Sequence, residues 1–102
     1  MNTRVMVRQR VKDFLQTLAP EPRRQLWRGL KDLAQDKGDL KQLEGSLHPF
    51  WRLRVDRMRV IYEPRSVASE RQLICFFADH RSTVYAVLEQ LLASGMVEEL
   101  RD

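Results

Sequence analysis

With one cysteine, two histidines and no long apolar run, this chain has few special chemistries open to it. A lone Cys75 cannot close an internal disulfide, and Cys/His spacing of the metal-binding kind is absent, so neither metal nor cofactor is expected. No apolar stretch approaches the roughly 18 residues of a membrane helix. The segment Met1 to Val7 is too short and too charged for a signal peptide. These absences point to a reducing cytoplasm and to no membrane contact. There is also no internal repeat, linker or low-complexity tract.

What the chain does have is enough apolar material for a core: 43% of its 102 residues are hydrophobic, spread along the whole length. One domain spanning residues 1–102 is expected. Another 31% are charged, with eighteen lysines and arginines against fourteen acids, a net charge of +4. That balance favours an anionic partner only weakly, and the placement of the charge matters more than its sum.

The pattern along the chain predicts the order β-α-α-β-β-β-α. Thr3 to Val7 is a short strand, suited to a sheet edge. Val11, Phe14, Leu15 and Leu18 fall at i, i+3, i+4 and i+7, one stripe of a helix. Ala19-Pro20-Glu21-Pro22 ends it, and Pro22 suits the first turn of a second helix lined by Leu26, Leu30 and Leu33. Gly38 is a left-handed stop after that helix, and Leu40 to Pro49 reads as a connecting loop. The period then becomes two. Trp51, Leu53 and Val55, and after Asp56-Arg57 also Met58, Val60 and Tyr62, form the apolar side of a hairpin. Pro64 to Glu70 reads as a polar loop, and Leu73 to Phe77 as a more buried strand. Val84, Val87, Leu88, Leu91 and Leu92 mark a last helix, which Met96, Val97 and Leu100 extend past Gly95. The class is α+β: two N-terminal helices packed on one face of an antiparallel sheet of three to four strands, then a C-terminal helix.

The hairpin carries the sharpest inference. A turn centred on Asp56-Arg57 sets Arg54 across from Arg59 and Arg52 across from Ile61, so Arg52, Arg54 and Arg59 share one face. Directly opposed like charges destabilise a sheet, and an anion between them is the simple reason to keep them. Arginine is suited to that work because its planar fork binds phosphate oxygens in pairs. A merely solvated face is the bland alternative. Arg57, in the turn, is a further phosphate contact on the first reading. A second polar cluster, Asp79 to Tyr85, lies between the buried strand and the last helix. Ser82 or Thr83 can cap that helix. His80 has a pKa range suited to proton transfer, against the plain reading of an exposed structural histidine. His48 reads as a loop residue, Cys75 as a small core residue, and Trp27 and Phe50 as core or its margin.

Four blocks in order, Leu43-Glu44-Gly45, Phe50 to Val55, Met58 to Glu63 and His80 to Tyr85, resemble the successive blocks of RelE/ParE-superfamily toxins. The resemblance covers nearly the whole chain. It implies a RelE-like domain, the toxin of a type II toxin–antitoxin pair, with a cognate antitoxin as partner in a hetero-oligomer. In the RelE branch it implies a metal-independent endoribonuclease acting on mRNA in the ribosome and leaving a 2′,3′-cyclic phosphate. By position, Arg59, Arg81, Tyr85 and His80 match catalytic positions of that branch, and Arg52 and Arg54 its basic strand positions. Strand lysines of the family are arginines here, which removes a lysine base. Asp79 also adds a negative charge beside the last block. Two other uses of the same fold are a ParE-like, non-catalytic inhibitor of DNA gyrase and an inactive homologue kept as a binding module.

Overall fold

A computed structural model describes residues 2–101. Strand β1 (Asn2–Val7) leads into helices α1 (Gln9–Thr17) and α2 (Pro20–Leu33). Strand β2 (Asp39–Gln42) and a 3-10 turn (Gly45–Leu47) follow, then the strands β3 (Trp51–Val55), β4 (Met58–Val67) and β5 (Glu70–His80). Helices α3 (Val84–Ala93) and α4 (Val97–Arg101) close the chain. The sheet runs β1-β5-β4-β3-β2, parallel only between β1 and β5. Among the described residues no helix is long and apolar enough to cross a membrane.

The α+β class holds, with β1 at a sheet edge as expected. Helix α2 begins at Pro20, so Pro22 falls in its first turn as expected and Pro20 fits there too, because the N–H groups of that turn have no helical partner. Where Gly38 was expected to stop the helix, the left-handed residue that follows α2 is Asp36 (φ 55°), with Gly38 (φ 118°) two residues on. The expected loop from Leu40 contains an edge strand: Leu40 pairs with Leu53 and Lys41 with Arg52. Four mostly polar residues give no apolar alternation to read, and β3 supplies their partners.

The expected polar loop at 64–70 is likewise mostly strand, since β4 runs on to Val67 and turns at Ala68-Ser69 into β5. Pro64 is tolerated there because β3 pairs with β4 only as far as Tyr62, leaving that side of β4 open. Gly95 (φ 76°) separates α4 from α3 rather than letting one helix continue.

Helices α1 and α2 share one face of the sheet, as expected, and the C-terminal helices take the other. Helices α1 and α2 cover Leu53, Met58, Val60, Tyr62, Leu73 and Cys75. Helix α3 and Val97 of α4 cover Ile61, Ile74, Phe76 and Phe77 on the other side, together with Phe50. The central strands are apolar on both faces, so each needs a cover. Burial pushes the Cys75 thiol up to about 12, as befits an inert core group. Trp27, read as core or its margin, is 39% exposed on α2, and Met96 of the last apolar stripe is 42% exposed.

At Gly29, α2 lies close against β3. A Cβ there would lie 2.7 Å from Cγ2 of Val55, inside contact distance. Gly29→Ala is therefore expected to lower stability by roughly 1–3 kcal/mol by overpacking, although alanine favours helix. Urea unfolding measures it, and an unchanged or raised midpoint would show that the hairpin end yields freely.

Candidate nucleic-acid interface

The hairpin forms with the expected register: Arg54 is paired with Arg59, Arg52 with Ile61 and Val55 with Met58. Alternation then sends Arg52, Arg54 and Arg59 away from the face covered by α1 and α2. On that side a cleft of about 660 Å³ opens. Its cationic side is made by Arg52, Arg59 and Arg81, with Lys41 from β2. Tyr85 and Glu89, one turn apart on α3, form another wall, and Glu44 and Leu47 a third.

Arg59 is the one charged residue among the buried ones described, 8% exposed. Its Nη1 donates to the carbonyls of Asp56 (2.9 Å) and Met58 (3.0 Å), which fixes the guanidinium at the root of the turn. Burial lowers its pKa first, and the nearby charges of Arg54, Arg52 and Arg81 lower it further, with Tyr85 acting in the opposite sense. Of these groups, Arg52, Arg81 and Tyr85 line the cleft together with Arg59. The N–H of Arg81 donates to the carbonyl of Arg57 at 2.9 Å, tying the loop before α3 to the β3–β4 turn. That bond holds the two sources of arginine together.

Not every candidate joins the cleft. Arg54 shares its face but is exposed beside it, and Arg57 sits exposed in the turn, outside the lining. His80 is directed elsewhere. Opposite the step from Ile61 to Tyr62 the pairing on β5 jumps from Phe77 to Cys75, leaving Phe76 as the extra residue of a bulge. Alternation restarts out of phase, so Asp79 stands opposite Arg59, and His80 opposite the core residue Met58. The His80 ring lies edge-on to Phe14 of α1, centroids 5.2 Å apart, on the helical-hairpin side. Thr83 precedes α3 without a side-chain capping bond; its hydroxyl donates instead to the carbonyl of His80 (3.3 Å).

Lys41, Gln42, Leu47 and Glu89 line the cleft without having been singled out in the sequence, and Glu44 figured there only as part of a family block. Lys41 was hidden by the unread strand β2. Glu89 had a signal, since it lies four residues after Tyr85 on a helix and therefore on the same face. Among the described residues no group of three or more His, Cys, Asp or Glu is arranged to hold a metal ion. A cleft with four cations can bind an oxyanion and stabilise negative charge developing on it.

Neither a family model nor a curated protein matches the sequence. Solved structures do match. A chain of the RelBE2 toxin–antitoxin complex from Mycobacterium tuberculosis superposes with a TM-score of 0.64 at 18% identity, covering 79% of this chain and 100% of that one. A chain of the archaeal RelE–RelB complex from Pyrococcus horikoshii gives 0.59 at 24% identity, over 79% and 97%. The YoeB/ParE toxin from Agrobacterium tumefaciens gives 0.58 at 16%, over 76% and 97%. This is a RelE/ParE-like fold. Identity so low leaves the chemistry to be argued from the residues themselves. Within the RelE/ParE-like fold of this chain, the cations are contributed by β2, β3, β4 and the loop before α3, so the cleft exists only once the sheet has closed.

Proposed function

We propose that this chain is the toxin of a type II toxin–antitoxin pair and an endoribonuclease that cuts mRNA, on the ribosome, in the cytoplasm. One observation carries the reading: buried Arg59, fixed by two backbone carbonyls, stands in a cleft with Arg52, Arg81 and Tyr85. RNA cleavage by internal attack needs a 2′-oxygen to bond to the neighbouring phosphorus as the bond to the departing 5′-oxygen breaks. The product is a 2′,3′-cyclic phosphate and a free 5′-hydroxyl. Negative charge accumulates on the phosphorane, and fixed arginines offset it without reorganising, commonly the largest contribution to such catalysis. Arg59 and Arg81 take this role, and Arg52, Arg54 and Arg57 hold flanking phosphates.

Two protons must also move. In this scheme Tyr85 donates to the 5′-oxygen or stacks on a base, and Glu89, one turn away and, like Glu44, a carboxylate of the cleft, takes the proton of the 2′-hydroxyl. His80, on the helical-hairpin side with Phe14, is left out of this scheme. The solved RelBE2 structure is a toxin–antitoxin complex and the archaeal one a RelE–RelB complex, and a cognate antitoxin is proposed here as well. A partner of that kind would have to neutralise the arginine face.

Mapping transcript 5′ ends after induction of the chain tests the proposal. Breaks within coding regions ending in 5′-hydroxyl groups are expected. Gyrase-dependent DNA breakage with intact transcripts would replace the reading with that of a ParE-like inhibitor.

A further inference from the structure

The row of residues across the sheet at the arginine pair is Asp39, Arg54, Arg59, Asp79, so two acids flank two bases. Only one of these acids pairs with an arginine of the face among the described residues. The Asp39 carboxylate lies 3.2 Å from Nη1 of Arg52 and 3.9 Å from Nη1 of Arg54. The same Arg52 nitrogen also donates to the Asp39 backbone carbonyl at 3.2 Å. Arg59 and Arg81 have no such acid among the described residues.

The face is thus divided. Arg59 and Arg81 form an inner position open to an incoming anion, whereas Arg52 and Arg54 form an outer position already holding a carboxylate. The anion that opposed arginines call for is partly supplied from within the chain, by an edge strand.

We infer that Asp39 is an internal competitor for phosphate at the Arg52–Arg54 position, an inference that rests on the phosphate-binding role proposed above. A phosphate arriving there has to displace the carboxylate, so Asp39 weakens the outer contact and leaves the inner one dominant. Such an arrangement selects for ligands whose phosphates reach both positions at once. It also limits the hold of the face on unspecific polyanions. Asp39→Asn removes the charge and keeps the backbone carbonyl that fixes Arg52. The site is exposed and at a sheet edge, so the fold is expected to persist.

The test measures binding of tripolyphosphate by calorimetry and of a 12-nucleotide single-stranded RNA by fluorescence anisotropy, across a salt series, for the wild type and Asp39→Asn. Removing one nearby negative charge is expected to tighten both by about three- to tenfold at low salt. The salt slope for RNA is expected to steepen by about 0.7, one phosphate contact on a single strand. Adding Arg54→Ala should cancel most of the gain, since the freed position then lacks half its donors. Unchanged or weaker tripolyphosphate binding by Asp39→Asn would overturn the inference, and weaker binding would make Asp39 a clamp that positions the arginines. Tighter tripolyphosphate binding without any RNA binding would keep the competitor and discard the nucleic-acid reading instead.

Discussion

Replacing Arg59 by alanine is expected to lower RNA cleavage by roughly 10²–10³-fold, the loss typical of removing one fixed donor to developing charge. The expectation follows from how the side chain is held. Nearly all of it is buried, and one of its nitrogens is committed to the carbonyls of Asp56 and Met58, so the remaining donors point in a set direction. Arg54, Arg52 and Arg81 all act to depress its pKa, a repulsion that an anionic transition state would relieve. The variant should stay folded. It loses two hydrogen bonds, each worth roughly 0.5–1.5 kcal/mol net, but also the cost of a buried cation beside like charges. Arg59→Lys is expected to be nearly as impaired, because an ammonium cannot hold two carbonyls and a phosphate in one plane. Cleavage assays paired with thermal melts followed by circular dichroism measure both quantities. Full activity in a folded Arg59→Ala protein would remove the residue from the site and weaken the nuclease reading with it.

The largest stability effect is expected at Phe76, where truncation to alanine should cost roughly 3–5 kcal/mol. The side chain is fully buried and meets Phe50 edge-on, centroids 5.2 Å apart. It is also the extra residue of the β5 bulge, so Phe76 and Phe77 both enter the core under α3. Chemical denaturation would show the loss as a lower midpoint with an unchanged slope. A loss below about 1 kcal/mol would mean that α3 resettles onto the sheet easily.

Much of the fold was legible because its signals are local. The stripe Val11–Phe14–Leu15–Leu18 and the leucines of α2 repeat at helical spacing. The β3–β4 hairpin alternates cleanly on both sides of a two-residue turn, and the pairing of Arg54 with Arg59 follows from counting outward from that turn. The four blocks shared with RelE/ParE toxins already pointed to the fold that the solved structures then supported. The illegible parts share a different property. Strand β2 and the outer halves of β4 and β5 are polar, and their strand character comes from neighbours that pair with them. His80 and Arg81 are adjacent in sequence, and no local rule says which of them a bulge will turn toward the cleft. The ion pairs of Arg101 with Glu63, at 2.7–2.8 Å, join residues 38 apart and had no signal at all.

The opposed arginines, the helix stripes and the basic face were therefore determined by the sequence alone, because period and turn chemistry act over a few residues. Only the tertiary structure decided the rest. The bulge at Phe76 turned His80 toward Phe14, and β2 brought Lys41 and Asp39 to the arginines. Both outcomes depend on pairing between distant strands, which sets faces by register and leaves no trace in any one segment.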